Sequence, residues 1–298
     1  MKAQLFEITH TTLYRYFSPV LSSYNLMRLT PRRDERQKCL AHTIEITPTP
    51  GAQSVHTDYF GNEVTFASLA LPHQELCITS RSKVTVTPPY MPDSSETSAW
   101  ETVGAYCISD RSRPALEAAE FLYASPQVPI GPGFASYATP SFTPRRPILE
   151  AVLDLTERIF HDFTFDPTAT TVATPLEEVL ANRRGVCQDF AHFQIACLRS
   201  LGLPARYVSG YLETVPPPGC PKLTGADASH AWLSFYCPGI GWIDMDPTNN
   251  LVPSMSHVTL AWGRDYGDVC PVRGVVSGGE CPTLSVAVDV VALEEPGA

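Results

Sequence analysis

One stretch restricts the possible folds more than any other. From Arg183 to Met245 a glycine-marked turn opens a helix pattern, and strand patterns then follow with no further helix between them. From about Cys187 to Leu201 the apolar residues Phe190, Phe193, Cys197 and Leu201 recur at helical spacing, which puts them on one buried face. Gly202 and Pro204 end that helix, glycine by accepting a left-handed turn and proline by being unable to continue it. Ala205 to Leu212, His230 to Tyr236 and Gly241 to Met245 read as strands, and Leu284 to Val290 alternates near the end. A helix followed by a run of mostly antiparallel strands is an α+β plan.

The upstream sequence is of another kind. From Phe6 to about Tyr90 it reads as short strands: Ile8, Thr12, Tyr14 and Tyr16 lie in a β-rich opening, and Thr43 to Thr47 and Lys83 to Thr87 alternate. The expectation is an N-terminal β-sandwich over 1–95, closed by a linker from Pro88 to Thr97, and a second domain over 96–298. A length of 298 residues fits two domains. Helices are expected from Pro114 to Ala124 and from Pro147 to His161, where Ile148, Val152, Leu155 and Ile159 form one stripe. The Gly/Pro-rich stretch between them, Pro126 to Pro144, reads as a long functional or mobile loop. Prolines number 28, near twice the usual ~5%, and clusters such as Pro216-Pro217-Pro218 suggest stiff surface connections.

Composition removes whole classes of function. Apolar residues make up 44% and charged residues 17%, so the chain folds rather than staying disordered. A net charge of −10 argues against nucleic acid and anionic membrane as partners, since both need a dense cationic surface. Arg32-Arg33, Arg145-Arg146 and Arg183-Arg184 read as solvated or ion-paired. Residues 1–20 contain no apolar signal core and no run of 18 apolar residues occurs, so the expected compartment is cytoplasmic. The nine cysteines include no C-x-x-C pair, so neither zinc nor a redox motif is written locally. Most should be reduced, buried and inert.

Cys187 differs from the others. It stands where Gly185-Val186 gives way to the helix, so first-turn N–H groups and the positive end of the helix dipole face its sulfur and favour the nucleophilic thiolate. A cysteine nucleophile needs a base and a group that orients the base. His230 opens a strand, with Trp232 and Ser234 on its face by period two. Across a hairpin of three or five loop residues, as with 236 opposite 242 or 238 opposite 242, Asp246 falls on the same face, opposite Trp232 or Ser234. Asp244 passes the same parity test but lies farther from His230, so Asp246 is the better orienting carboxylate. Cys187, His230 and Asp246 form the candidate catalytic set.

The segments Gly185-Val186-Cys187-Gln188-Asp189-Phe190-Ala191-His192, Gly202-Leu203-Pro204-Ala205-Arg206-Tyr207-Val208-Ser209-Gly210-Tyr211, Ser229-His230-Ala231-Trp232 and Gly241-Trp242 with Asp246-Pro247-Thr248-Asn249 resemble the bacterial transglutaminase-like superfamily of cysteine enzymes. His10-Thr11-Thr12, Arg28-Leu29-Thr30-Pro31-Arg32 and Asp58-Tyr59-Phe60-Gly61-Asn62 resemble the β-rich region that accompanies that core. The resemblance implies a papain-like core in which Cys187 attacks an amide carbonyl, His230 serves as base and acid, and Asp246 orients it. Peptides, proteins and small amides are the substrates it implies. Hydrolysis is favoured over transfer to an amine, because the chain lacks the length for the extra β-domains of animal transglutaminases and has no calcium-loop run of carboxylates. No cofactor and no metal are expected. A binding or assembly protein that retains the fold is the alternative of another class. Asp189 is expected to cap the helix, His192, Trp232 and Trp242 to pack, Gln188 to be a possible substrate contact, and Arg264 to pair with Asp265.

Overall fold

The computed structural model describes residues 3–214, 228–280 and 282–293. Cys220, Cys281 and the Pro216-Pro217-Pro218 run lie outside them. The N-terminal sheet is built on one long strand, β1 (Gln4–Met27), with β2 (Gln37–Thr47), β3 (Ala52–Thr57), β4 (Glu63–Leu69) and β5 (His73–Val86). Along β1 the buried positions are first the even ones, Phe6, Ile8, His10 and Thr12, and later the odd ones, Ser23, Asn25 and Met27. The even set extends through Tyr16 and Val20, and the switch coincides with a register shift between Val20 and Ser22. An irregularity there turns the strand so that opposite sets of side chains point inward. The first half of β1 pairs with β5 and the second with β4, and the two arms close over Tyr16, Val20, Met27, Leu29, Ile46, Ala67, Leu69, Leu76 and Ile78. The expected sandwich is thus one sheet folded over on itself.

The helical region follows: α1 (Trp100–Ser109), α2 (Arg113–Ala119), α3 (Pro132–Ala138) and α4 (Ile148–Asp162). The stretch expected as a loop from Pro126 to Pro144 therefore contains α3. Pro132 occupies its first turn, where a missing N–H costs nothing, and Phe134 and Tyr137 fix it against Phe193 with ring centroids 5.9 and 5.0 Å apart. Then come β6 (Thr164–Phe165), α5 (Leu176–Asn182), β7 (Arg184–Gly185) and α6 (Cys187–Ser200). The helix α6 is nearly all buried, and Gly202 ends its trailing turn with φ of 74°. Arg199 in its last turn is buried and donates to the Ala205, Tyr123 and Arg264 carbonyls at 2.8, 3.2 and 2.7 Å. A cation there complements the helix dipole while tying three segments together.

The second sheet runs β10-β9-β8-β11, all antiparallel, from β8 (Ala205–Leu212), β9 (Ala228–Cys237), β10 (Gly241–Met245) and β11 (His257–Gly263). The helix α6 packs on β8 and β9. After α7 (Tyr266–Val269) the chain returns as β12 (Val272–Gly278) and β13 (Thr283–Leu293). Both pair with β1. The alternating strand near the end thus belongs to the N-terminal sheet, not to the second one, although its position in the chain lies within 96–298.

Polar clamps join the two sheets. Gln37 exchanges hydrogen bonds with the Thr259 backbone at 2.8 Å in both directions, and Asn62 does the same with Trp262 at 2.9 and 3.0 Å. Arg32, expected to be solvated or ion-paired, instead lies 3.4 Å above the Trp262 ring and donates to the Phe60 carbonyl and to Asn62. A guanidinium is flat and weakly enough hydrated to stack on an indole. No helix of the described residues is long and apolar enough to cross a membrane.

Candidate active site

The position of Cys187 is set by the turn before α6. Gly185 pairs with Phe165 in the short parallel ladder of β6 and β7, and a Cβ on Gly185 would lie 2.5 Å from the Asp189 carboxylate. Only glycine lets the chain pass that close. Asp189 folds back to accept the Val186 N–H at 2.8 Å and the Thr170 hydroxyl at 2.6 Å, which is the capping role read from its first-turn position. Burial pushes its carboxyl above the ordinary value, partly offset by those two hydrogen bonds. Cys187 begins the helix and is half-buried, whereas Cys39, Cys107, Cys197 and Cys237 are buried.

His230 and Asp246 meet through the hairpin register. Trp242 lies opposite Tyr236 and Asp244 opposite Ser234, so continuation of the ladder places Asp246 beside Trp232, as the parity argument requires. Asp246 is held just beyond β10 by reciprocal backbone bonds with Leu251 at 2.9 and 3.3 Å. His230 Nε2 lies 2.7 Å from Asp246 Oδ2, leaving Nδ1 for the hydrogen bond between His230 and Cys187. The structure thus brings together all three residues singled out from the sequence. Burial opposes a charge on His230, but the hydrogen bonds to Asp246 and Cys187 and their negative charges outweigh it and push the imidazole up to about 10.

Asp246 is a hub with more partners than its sequence motif reveals. Its Oδ1 accepts the Thr248 and Asn249 backbone N–H groups at 3.0 and 3.3 Å, and its Oδ2 accepts the Asn249 side chain at 2.7 Å. His257 Nε2 reaches the same Oδ2 at 3.1 Å. Burial alone would raise the Asp246 carboxyl, but donation from His230, His257 and Asn249 and the charge on His230 hold it well below the usual carboxylate range. His257 was not singled out from sequence. A signal existed, since the same Ser-His dipeptide stands at the start of β11 as Ser256-His257 and near the start of β9 as Ser229-His230. His230, Asp246 and His257 offer ligand atoms within 4.8 Å of one another, and here those atoms are engaged with each other.

The remaining candidates divide clearly. His192 is buried, accepts the Tyr266 N–H at 3.0 Å and packs on Tyr207. Burial, only partly opposed by Asp265, lowers it to about 3, so it is neutral. Trp232 is fully buried with its ring 5.2 Å from His257, and Trp242 stacks on Arg206 at 4.3 Å. Both pack, as expected. Arg264 pairs with Asp268 at 2.9 Å and not with Asp265, which instead accepts the Gln127 and Gly267 N–H groups. Gln188 and Tyr207 line, with Cys187 and His230, a cavity of about 560 Å³.

Comparison with known proteins gives the family. A model of the bacterial transglutaminase-like N-terminal region matches residues 6–85, and one of the transglutaminase-like superfamily matches residues 136–247. The chain belongs to the transglutaminase-like superfamily. An uncharacterized protein of Mycobacterium tuberculosis is 42% identical over 97% of this chain and 93% of its own, and one of Mycobacterium leprae is 33% identical over 96% and 98%. A protein-glutamine gamma-glutamyltransferase of Pseudomonas aeruginosa is 32% identical over 34% of this chain and 16% of its own length. Among solved structures, "a Putative Cysteine Protease from Cytophaga hutchinsonii" superposes with a TM-score of 0.78 at 22% identity, covering 100% of this chain and 93% of that one. This last likeness is one of fold.

Proposed function

We propose that the protein is a cysteine-dependent amidase or peptidase that works through a thioester, with Cys187 as nucleophile, His230 as acid and base, and Asp246 as the group that orients His230. The observation that carries this reading is the unbroken contact chain from Cys187 through His230 to Asp246. The Cys187 sulfur adds to the carbonyl carbon of an amide, and the new oxyanion is stabilised by first-turn N–H groups of α6, which include that of Cys187. The intermediate collapses by breaking the C–N bond. His230 gives its proton to the departing amine, leaving an acyl-thioester and a neutral imidazole. Water then attacks the thioester with His230 as base, releasing a carboxylic acid and restoring the pair.

A primary amine in place of that water would yield a new amide instead, and the partial match to a glutamyltransferase gives this second outcome its support. Peptides, protein side-chain amides and small amides all supply the required carbonyl. The test is a set of amide substrates incubated with and without a primary amine. Free acid as the main product, lost in Cys187→Ala, supports hydrolysis. Amine incorporation as the main product overturns that preference, and equal activity in Cys187→Ala overturns the enzyme reading.

A further inference from the structure

The cavity over Cys187 has a wall that the catalytic region does not supply. Strands β1 and β13, from opposite ends of the chain, pair in register with His10 opposite Val288, Thr12 opposite Val286 and Tyr14 opposite Leu284. These positions are two residues apart on each strand, so all six side chains share one face, and all six line the cavity with Cys187 and His230. The ladder is graded. His10 and Val288 are each 1% exposed and Thr12 2%, while Val286 and Leu284 are 48% and 58% exposed. Pro271 and Val272 continue the apolar surface. From residue 10 to residue 14 the face runs about 13 Å, the length of an extended segment of about four residues.

Charge is missing from this wall. None of the described lining residues is Lys, Arg, Asp or Glu. His10 is held by the Tyr211 hydroxyl at 2.9 Å and that of Thr12 at 2.8 Å, and burial lowers it to about 4, so it is neutral at pH 7. Burial likewise raises Tyr14, Tyr207 and Tyr266, which stay protonated. The reacting pair therefore supplies the charge facing the cavity. A charged substrate side chain laid on this wall would lose its hydration and gain no partner.

Building on the amidase reading, we infer that the β1–β13 ladder is the specificity surface of the enzyme, selecting peptides whose segment beside the reacting amide is extended, uncharged and aliphatic. Binding can be measured without turnover, using Cys187→Ala protein and acetylated tetrapeptide amides of leucine-valine, glutamate or lysine composition in calorimetric titration. The leucine-valine peptide should bind about tenfold or more tighter than the other two. In the added background of Val286→Asp or, independently, Leu284→Asp, its affinity should fall about tenfold and the lysine peptide should become the preferred ligand. Both side chains are half-exposed at the mouth, so these changes spare the core. Affinities of the three peptides within about twofold of one another, or an aliphatic preference untouched by both substitutions, would overturn the inference. Failure of the amidase reading is seen separately, as absence of turnover in the parent protein.

Discussion

His257 Nε2 lies 3.1 Å from Asp246 Oδ2, the same oxygen that receives His230 at 2.7 Å. One carboxylate oxygen therefore serves two histidine rings, and the second ring restricts where the carboxylate can turn. His257→Phe removes a hydrogen bond to a charged group, worth about 1.5–3 kcal/mol. The expected result is a fall in kcat of about 10- to 100-fold. His257→Gln keeps a donor and should recover most of that loss. Steady-state kinetics of the two variants with matched melting curves checks this.

Asp246→Asn tests the orienting role directly. The amide retains the shape but cannot accept on both atoms, so one of the donors around it loses its partner and His230 loses its charged neighbour. Turnover should drop about a thousandfold or more. Single-turnover acylation rates will separate this from any change in substrate affinity.

The pH dependence follows from the two displaced titrations. The folded value of His230 lies above its ordinary 6.5, at about 10. Its contribution to stability is therefore complete below pH 6.5 and lost as pH rises through about 10. Asp246 behaves in the opposite sense, its contribution being present above 3.8 and lost as the pH falls toward its depressed value. In the proposed reaction the leaving amine takes its proton from His230, so kcat/KM should decline on an alkaline limb near pH 10. The limb should move to lower pH in Asp246→Asn. A pH–rate profile alongside melting temperatures across the same range supplies both readouts.

Gly185→Ala places a Cβ 2.5 Å from the Asp189 carboxylate. The carboxylate must move, and its hydrogen bond to Val186 is lost with it. Loss of such a cap costs about 0.5–2 kcal/mol, and the helix start that carries Cys187 shifts. Chemical denaturation should show the destabilisation, with slower alkylation of Cys187 beside it.

The hairpin and α6 were legible because period and parity act locally. The pairing of Trp242 with Tyr236 follows from a three-residue turn, and the position of Asp246 follows from that pairing. The return of β13 to β1 was not legible, since Leu284 to Val290 carries the same alternation whichever sheet accepts it. The stacking of Arg32 is hidden for a similar reason: Trp262, which it covers, is far along the chain. His257 required knowing that β11 lies beside β8, close enough to the hairpin for a second ring to reach Asp246. The helix α3 was hidden because its proline and glycine fit a loop as well as a first helical turn.

The proposed chemistry requires Cys187 to be the activated thiol. Limited alkylation with iodoacetamide at neutral pH, followed by peptide mapping of every cysteine, tests it most directly. Among the described residues, exposure alone would leave Cys77 and Cys270 as competitors, because each is only partly buried. Cys187 should react about tenfold or more faster than either, and His230→Ala should remove the advantage. Equal rates at Cys187, Cys77 and Cys270, or a rate at Cys187 unchanged by His230→Ala, would contradict it.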